Sequence, residues 1–338
     1  MDDRSAPSVD EPLLRRTLAA VGLPATGRFF PKGGWASRAW VGDEYVVRLS
    51  NGQARDAYGH EAEVVALLAG SDVPHARHIA HGAGPDGSWY VSERLPGRTL
   101  HDVWPHADVH TRHTIVESLG AALRALHRVP VPAQLTPPWL ADALAGGSWP
   151  AYHPPVVSAT LEQVEAARRS PGHDARLLGD VAVWIRERLP LFTADDPVLV
   201  HGDLHGSNVM VDHGRVTGLI DFAEALAQPA DAELDTILRW CARAWEFPPT
   251  PCGRGLDASG LVEVPGWLRG AYPELFDREH LRTRLNFYDI YVELAIYAHH
   301  PDIEVRNMAH DRIARLLLGH NHLDGLTLLS ATPDTASG

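Results

Sequence analysis

Three short apolar runs, separated by polar residues, stand out between positions 198 and 220 of the chain. Runs of this length that are rich in valine, leucine and isoleucine predict buried β-strands. The predicted strands span residues 198–200, 209–211 and 216–220. The loop between the first two covers residues 203–208, and His213-Gly214 predicts a turn before the third. We therefore expect the polar side chains of Asp203, Asn208 and Asp221 to gather at strand ends around one loop.

Much of the rest of the chain has the apolar period of an amphipathic helix. In residues 109–128 the apolar positions form one stripe, which Pro130 ends. Further helices are predicted over residues 60–68, 161–167, 177–189, 235–245, 282–299 and 305–318. Residues 12–96 are predicted to alternate strands with one helix and to form a small antiparallel sheet. Segments 130–156 and 246–272 are rich in proline, glycine and tryptophan and are predicted to be a long connector and a loop.

The residue types of the 203–208 loop suit phosphoryl transfer. That reaction needs a carboxylate that orients the incoming hydroxyl and accepts its proton, together with oxygen ligands for Mg²⁺. One asparagine and one aspartate are sufficient protein ligands, because Mg²⁺ keeps part of its water shell and also binds phosphate oxygens. The alternative is a plain strand-turn-strand with polar turn residues. The spacing favours the first interpretation, since Asn208 follows five positions after Asp203 and I-D-F follows at 220–222.

The pattern H-G-D-x-x-x-x-N at 201–208, followed by I-D-F, resembles the aminoglycoside phosphotransferase family, whose members share the protein-kinase fold. The resemblance implies that Asp203 is the catalytic base and that Asn208 and Asp221 bind Mg²⁺. It also implies that His201 supports the catalytic loop. The fold that it implies is α+β, a protein-kinase-like bilobal fold with a small antiparallel-sheet lobe and a mostly helical lobe.

A kinase-like chain needs a glycine-bearing loop over the phosphates and a basic residue on a following strand. Residues 30–37 supply a candidate loop, for which an ordinary hairpin is the alternative. The predicted nucleotide contacts in this loop are Lys32, Gly33, Gly34 and Ser37. The next strand carries Arg48 where protein kinases carry lysine, and arginine suits a bidentate phosphate contact without being equivalent to lysine.

Two further segments complete the predicted nucleotide side. The helix that starts at residue 60 offers Glu61 as the partner of Arg48, with Glu63 as the alternative. Residues 89–97 form a strand that runs into a Pro-Gly break, which resembles the hinge between the two lobes of the family. The resemblance implies that the hinge binds the nucleotide base through a backbone amide, that of Arg94 or Leu95. The hinge residues are Ser92, Glu93, Arg94 and Leu95.

The segment 230–235, which follows the metal-binding motif, resembles the family's G-D-P-x-x-D-L sequence without its glycine and proline. The resemblance implies that Asp235 braces the catalytic loop. The alternative is an acid near the start of a helix with no special role.

The acceptor is expected to lie against the later segments of the chain. Six acids there are candidates to meet amines of a substrate, and each is alternatively an ordinary surface acid. These acids are Asp257, Glu263, Asp289, Glu293, Asp302 and Glu304. An apolar acceptor such as a macrolide would instead use aromatic side chains. The candidates are Trp240, Trp245, Phe247, Trp267, Phe287 and Tyr288.

Composition limits the class of protein. The chain has 338 residues with 45% hydrophobic content, which is enough for one substantial core or two modest lobes. Its two cysteines, Cys241 and Cys252, form neither a disulfide framework nor a C-x-x-C zinc motif, which favours a cytoplasmic location. No apolar signal-peptide core follows Met1, and no run of about 18 apolar residues occurs, so neither secretion nor contact with a membrane is expected.

Charge is distributed unevenly. The net charge is −13; residues 1–96 hold ten Lys/Arg and twelve Asp/Glu, a net of −2, so the remainder carries −11. This balance disfavours nucleic acid as a partner and would attract cations, although ordinary solubility charge is the alternative. Lys32 is the only lysine in the chain.

Together these features predict a phosphotransferase that uses Mg²⁺ and ATP or GTP. It would phosphorylate a hydroxyl of a small cationic antibiotic, an aminoglycoside or a viomycin- or capreomycin-type peptide, and so confer resistance. The alternatives are a macrolide or small-metabolite kinase of the same fold and a non-catalytic nucleotide-binding pseudokinase. Residues 1–96 are predicted to be the nucleotide-binding lobe ending in the hinge, 97–330 the helical lobe with the catalytic loop and acceptor pocket, and 331–338 a disordered tail. A monomer or weak dimer is expected.

Overall fold

The computed structural model of the chain is an α+β protein, with an antiparallel sheet near the amino terminus and helices through most of the remainder. It describes residues 11–24, 28–33, 38–51, 58–84, 87–132, 134–150, 152–193, 195–244, 247 and 260–326. Several predicted features lie outside these residues, namely the tail 331–338, Gly34, Ser37, Trp245, Cys252 and Asp257. The predicted lobe boundary between residues 96 and 97 stays a prediction.

The amino-terminal sheet has five antiparallel strands in the order β1-β2-β3-β5-β4. The strands are β1 (Phe30–Gly33), β2 (Arg38–Val41), β3 (Tyr45–Asn51), β4 (His78–Gly84) and β5 (Gly87–Glu93). Each residue of β3 is paired with one of β5, and this register places Arg48 opposite Tyr90. The side chains of these two residues therefore share one face of the sheet.

Two helices accompany this sheet, whereas the sequence predicted one. They are α1 (Glu11–Ala20) and α2 (Gly59–Leu67). α1 buries Leu14 and Leu18 in one cluster with Val47 of β3. α1 has few apolar positions, and Arg15 and Arg16 interrupt them. The helical repeat is therefore too short to be recognised from the sequence.

Two small sheets carry the segments predicted from the valine-rich runs. The strands are β6 (Arg98–Thr99), β7 (Val198–Val200), β8 (Val209–Asp212), β9 (Arg215–Leu219) and β10 (Leu226–Gln228). β8 lies between β6 and β9, and β7 pairs with β10. The prediction of three strands between residues 198 and 220 is confirmed to within one residue at each end.

Helices make up most of the chain after β6. They are α3 (Leu100–Val103), α4 (Val109–Leu126), α5 (Pro138–Leu144), α6 (Thr160–Arg169), α7 (Ala175–Arg188), α8 (Ala230–Ala242), α9 (Val264–Ala271), α10 (Leu281–His299) and α11 (Ile303–Leu317). α5 and α9 lie in segments that were predicted to be a connector and a loop, so those predictions were wrong in part. Both helices are short and carry proline in the first turn, a position that tolerates it.

α10 is the central helix of the core and is buried from Arg284 to Tyr297. It packs against α6, α8 and α11. Arg284 crosses from α10 to α8, where its Nε donates to Asp231 Oδ2 at 2.6 Å, and its Nη1 donates to the Leu191 carbonyl at 2.6 Å. None of the described helices is both long enough and apolar enough to cross a bilayer.

Gly97 joins the end of the predicted hinge to the small sheet that carries the catalytic segment. Its φ is +91°, and a Cβ placed on it would lie 2.1 Å from the carbonyl oxygen of Val211 in β8. The neighbouring Thr217 donates a hydrogen bond to the Pro96 carbonyl at 3.0 Å. The chain can therefore approach β8 this closely only with glycine at position 97.

We expect Gly97→Ala to destabilise the protein by about 3 kcal/mol, because the new methyl group meets backbone that has no room to move. Gly172→Ala is the matched control, since Gly172 has a φ of +73° but no atom within 4 Å of the added Cβ. The control should cost only about 1 kcal/mol, the penalty of a left-handed backbone alone. Chemical denaturation measures both free energies of unfolding, and equal losses would contradict the proposed close approach.

Candidate active site

The segment between β7 and β8 closes on itself through Asn208. The amide nitrogen of Asn208 donates to the Asp203 carbonyl at 2.8 Å and to Asp203 Oδ2 at 3.1 Å. The Asp203 side chain keeps 44% of its surface exposed, so its carboxylate remains accessible to a substrate. The preceding Gly202 has a φ of +81°, and a Cβ there would lie 2.3 Å from the Glu224 carbonyl oxygen. Glycine is thus required for the chain to pass so close to residue 224.

Two buried histidines hold this loop from behind. His201 Nε2 lies 2.9 Å from the Ile220 carbonyl, while its Nδ1 accepts from the Asp203 backbone N–H at 3.3 Å. This pair of contacts places the proton on Nε2. Burial lowers the pKa of His201, so the ring is neutral at pH 7. The structure therefore places His201 where it orients Asp203 and anchors the loop to the segment before Asp221.

The second histidine, His205, was not singled out from the sequence. Its Nδ1 accepts from the Ser207 N–H at 3.3 Å, and its Nε2 lies 3.6 Å from Asp203 Oδ2 and 3.4 Å from Asn208 Nδ2. His205 is 5% exposed and packs against the ring of Phe247 at 5.1 Å. Its position two residues after Asp203 was the signal that could have identified it.

Arg48 connects three parts of the site. Its guanidinium donates to Glu61 of α2 and, at 2.7 Å, to Asp221 Oδ1. The predicted pair with Glu61 is present, whereas Glu63, the alternative, is exposed. The guanidinium also lies against the rings of Tyr58 and Tyr90, with its carbon 5.1 and 4.9 Å from their centroids. The sequence did not predict the contact with Asp221, which is 173 residues away in the chain, or the contacts with the two tyrosines.

Asp221 adopts a left-handed backbone, with φ +68° and ψ +63°. Such a conformation is rare for an aspartate and aims the side chain away from the course of the strand. Burial by itself would raise the pKa of this carboxyl, but the adjacent Arg48 guanidinium outweighs it and the net pKa is lowered. Asp221 is therefore held as a carboxylate next to the Asp203 loop.

The structure places the predicted phosphate-covering residues only in part. Lys32 and Gly33 lie in β1, where Lys32 is opposite Ala39 of β2. The Lys32 side chain is 49% exposed, and its ammonium lies 3.5 Å from Asp102 Oδ2 in α3. Lys32 thus spans from the sheet to the helical part of the chain.

The hinge residues differ in whether their amides are free to bind a base. Ser92 and Glu93 belong to β5, and the Glu93 N–H donates to the Arg77 carbonyl at 3.0 Å. The Arg94 N–H donates to the Glu44 carbonyl at 2.8 Å. Among the described residues nothing accepts a hydrogen bond from the Leu95 N–H. Of the two candidate amides, the geometry therefore favours Leu95 over Arg94.

The carboxylate that braces the catalytic loop belongs to Glu233. The Glu233 carboxylate accepts hydrogen bonds from the backbone N–H groups of His201 and Gly202. The expectation that Asp235 has this role was wrong, since Asp235 is fully buried and no described group donates a hydrogen bond to either of its oxygens. The two positions are about 200° apart around α8, so only one of them can point at the loop.

Two of the acids expected to meet a substrate are paired inside the protein. Asp289 and Glu293 are fully buried in α10. Glu293 Oε1 accepts from Arg243 at 2.8 Å, and Asp289 Oδ2 lies 3.0 Å from His322 Nδ1. The expectation that these two acids face an acceptor was therefore wrong, because their charges are already matched by protein groups.

Other acceptor candidates also have structural positions. Asp302 caps α11 by accepting from the Glu304 N–H at 2.8 Å, and Glu263 lies exposed beside α9. Among the aromatic candidates, three are buried in the core, namely Trp240, Phe287 and Tyr288. Trp267 and Phe247 are partly buried. Three of the six aromatic candidates are therefore not available to an apolar acceptor.

The chain is similar in sequence to known phosphotransferases. The model of the phosphotransferase enzyme family matches residues 26–271. An aminoglycoside 3'-phosphotransferase from Streptomyces fradiae is 31% identical over 206 residues, which cover 60% of this chain and 70% of that protein. One from Escherichia coli is 27% identical over 184 residues, which cover 53% of this chain and 61% of that protein.

Solved structures of antibiotic kinases show the same fold. The ADP-bound aminoglycoside phosphotransferase APH(2'')-Ib has a TM-score of 0.61 at 13% identity, covering 94% of this chain and all of that one. Aminoglycoside phosphotransferase APH(4)-Ia has a TM-score of 0.60 at 16% identity, covering 91% and 98%. A ternary complex of APH(2'')-IIa with streptomycin and ATP has a TM-score of 0.61 at 13% identity, covering 95% and 100%. The predicted protein-kinase-like α+β fold is confirmed.

The buried Glu233 carboxyl predicts how the stability of the protein depends on pH. Burial raises the pKa of Glu233 to about 8, although the hydrogen bond from His201 opposes this. Between about pH 4.5 and 8 the folded state therefore holds a proton that the unfolded state has released, so stability falls as pH rises. We expect Glu233→Gln, which keeps an oxygen for the two N–H groups, to make this decline shallower by up to about 1.4 kcal/mol per pH unit.

Denaturant unfolding at pH 5, 6, 7 and 8 measures this slope for the parent and the variant. Glu63→Gln on the exposed side of α2 is the control and should leave the slope unchanged. The same slope in Glu233→Gln as in the parent would show that Glu233 is ionised throughout this range.

Proposed function

Because the chain belongs to the phosphotransferase enzyme family and is a small-molecule kinase of protein-kinase-like fold, we propose that it phosphorylates a hydroxyl of a small cationic antibiotic. The phosphoryl donor is ATP or GTP, and the acceptor is an aminoglycoside or a basic peptide of the viomycin and capreomycin type. Modification of the antibiotic confers resistance. The observation that supports this most directly is the exposed Asp203 carboxylate, oriented by Asn208 beside an Asp221 that Arg48 holds in place.

Asp203 acts on the acceptor hydroxyl in this proposal. Its carboxylate orients the hydroxyl and takes the proton as the oxygen bonds to the γ-phosphorus. The bond from the γ-phosphorus to the bridging oxygen breaks, and the nucleoside diphosphate leaves with the electron pair. His201 and Glu233 contribute by fixing the backbone that carries Asp203. Leu95 binds the base through its backbone amide.

The donor set at Asn208 and Asp221 fits Mg²⁺. The hydrogen bonds of the Asn208 side chain use its nitrogen, so its Oδ1 has no donor among the described residues. One oxygen of Asp221 contacts Arg48, and the side chain is 43% exposed. Oxygen donors of this kind are those that Mg²⁺ prefers. A bound Mg²⁺ supplies charge neutralisation for the phosphate oxygens during transfer.

A cationic acceptor is supported by charge and by the curated relatives. The residues after position 96 carry −11. Both curated relatives are named aminoglycoside 3'-phosphotransferases. Because Asp289 and Glu293 are buried, the amines of the acceptor are expected to contact other acids. The burial of Trp240, Phe287 and Tyr288 counts against a large apolar acceptor.

A panel of acceptors tests the proposal. We expect γ-phosphate transfer to at least one aminoglycoside or basic peptide antibiotic, and weaker transfer to macrolides. The KM of the acceptor should rise steeply with salt, since screening weakens attraction between a polycation and an acidic surface. If only macrolides or neutral metabolites were phosphorylated, the proposed cationic class of acceptor would be wrong. If no compound of the panel were phosphorylated, a kinase for some other metabolite would be favoured. A pseudokinase would bind nucleotide and transfer phosphate to no acceptor.

Asp203→Asn tests the catalytic assignment. We expect kcat to fall about 10³-fold, because the carboxamide can orient the hydroxyl but cannot take its proton. The Kd for nucleotide should stay within about twofold, which equilibrium binding measures. Asp196→Asn, an exposed acid that precedes β7, is the control and should keep the parent kcat. Parent-like turnover in Asp203→Asn would disprove the role of Asp203.

A further inference from the structure

Asp221 begins a tight turn that covers residues 221–225. Its left-handed backbone is followed by a single 3₁₀ turn, Phe222–Glu224, which the Ala225 N–H closes by donating to the Phe222 carbonyl at 3.1 Å. A residue other than glycine keeps a left-handed backbone only where surrounding contacts hold it there. The contacts of this turn with the rest of the protein therefore determine where the Asp221 carboxylate lies.

The end of the turn is bound by His60 of α2. Nε2 of His60 lies 2.7 Å from the Ala225 carbonyl oxygen, and because a carbonyl can only accept a hydrogen bond, Nε2 carries the proton. Burial lowers the pKa of His60, so the ring is neutral at pH 7. His60 is 9% exposed and Ala225 is fully buried. The hydrogen bond is therefore formed away from water, where its loss is costly.

The start of the turn is connected to the same helix through Arg48. The guanidinium donates to Asp221 Oδ1 at 2.7 Å and also donates to Glu61, the residue that follows His60 in α2. Two adjacent residues of α2 are thus linked to the two ends of one turn, His60 directly and Glu61 through Arg48. A shift of α2 would consequently displace both ends of the turn.

The same turn also contacts the catalytic loop. A Cβ placed on Gly202 would lie 2.3 Å from the Glu224 carbonyl oxygen, and the His201 ring lies 4.6 Å from the Phe222 ring between centroids. The turn is therefore packed against both α2 and the loop that carries Asp203.

We propose that His60 is a positioning residue for Asp221, because it binds the end of the turn to α2 and so keeps the Asp221 carboxylate directed at the metal. His60 acts through the backbone of the turn and itself contacts neither metal nor nucleotide. Groups that orient a metal ligand commonly affect metal affinity although they do not bind the metal. The inference rests on the proposed function for the role of Asp221 as a Mg²⁺ ligand, but it is measurable without turnover.

The effect of the metal on nucleotide binding is the measurement. Calorimetric titration of the full chain gives the Kd of ADP with Mg²⁺ and with EDTA, and the ratio of the two is the enhancement by the metal. We expect His60→Leu, which has an apolar side chain in place of the donor, to reduce this enhancement. The reduction should be about tenfold, with the Kd of metal-free ADP kept within about twofold. An unchanged enhancement in His60→Leu would overturn the inference.

Two amide variants test the hydrogen bond itself and serve if His60→Leu does not fold. The amide nitrogen of His60→Gln can reach the position of Nε2 and donate to Ala225, so this variant should keep most of the enhancement. The amide of His60→Asn is one carbon shorter and should lose the enhancement as His60→Leu does. Equal enhancement in the two amide variants would exclude the hydrogen bond as the cause.

His127→Leu is the matched control for loss of a buried histidine. His127 is 8% exposed, and its Nδ1 lies 3.1 Å from the Tyr272 hydroxyl, in another part of the chain. The control should lower the midpoint of thermal unfolding but keep the parent enhancement. An equal loss of enhancement in His127→Leu would show that the effect follows general loss of packing, which would contradict the inference.

The two proposals fail in different ways. If Mg²⁺ changes the Kd of ADP equally in the parent and in Asp221→Asn, the proposed metal role of Asp221 is wrong, and the positioning role of His60 is wrong with it. If Asp221→Asn loses the enhancement but His60→Asn keeps it, the metal role stands and the positioning role is wrong. Neither result depends on which acceptor is phosphorylated.

Discussion

The arrangement of the site depends on one buried guanidinium. Arg48 leaves the centre of the amino-terminal sheet and binds Glu61 of α2 and Asp221 of the metal-binding segment at once. The planar guanidinium can donate hydrogen bonds to two carboxylates in fixed directions while two tyrosine rings lie against it. A lysine has neither the fork nor the flat faces and could not make all of these contacts at once. This single side chain therefore connects the sheet, its helix and the segment of Asp221.

Behind the catalytic loop the protein uses neutral or paired groups. His201 is kept uncharged by burial, and Glu233 accepts two backbone N–H groups of the loop. In the neighbouring helix α10, the buried acids Asp289 and Glu293 are matched by arginines and a histidine. The carboxylates of Asp203 and Asp221 themselves stay partly exposed, where a nucleotide and its metal would be bound.

Sequence reasoning succeeded where a pattern is local. The strands around the catalytic loop were predicted because buried valine runs and polar turns alternate within about twenty residues. The choice between Asp235 and Glu233 could not be made in this way, since nearly every residue of α8 is buried and no polar face sets the rotation of the helix. The contact of Arg48 with Asp221 joins segments 173 residues apart, and the partners of Asp289 also come from other elements. Such contacts are fixed only by the tertiary fold.

Lys32 gives the chain an unusual chemical property. It is the sole lysine, its side chain is half exposed, and its ammonium reaches Asp102 across the space between β1 and α3. Reagents that acylate amines will therefore modify one side chain, apart from the amino terminus. An environment-sensitive dye attached there would report changes in the space between the sheet and the helical part of the chain, and no other residue would need substitution.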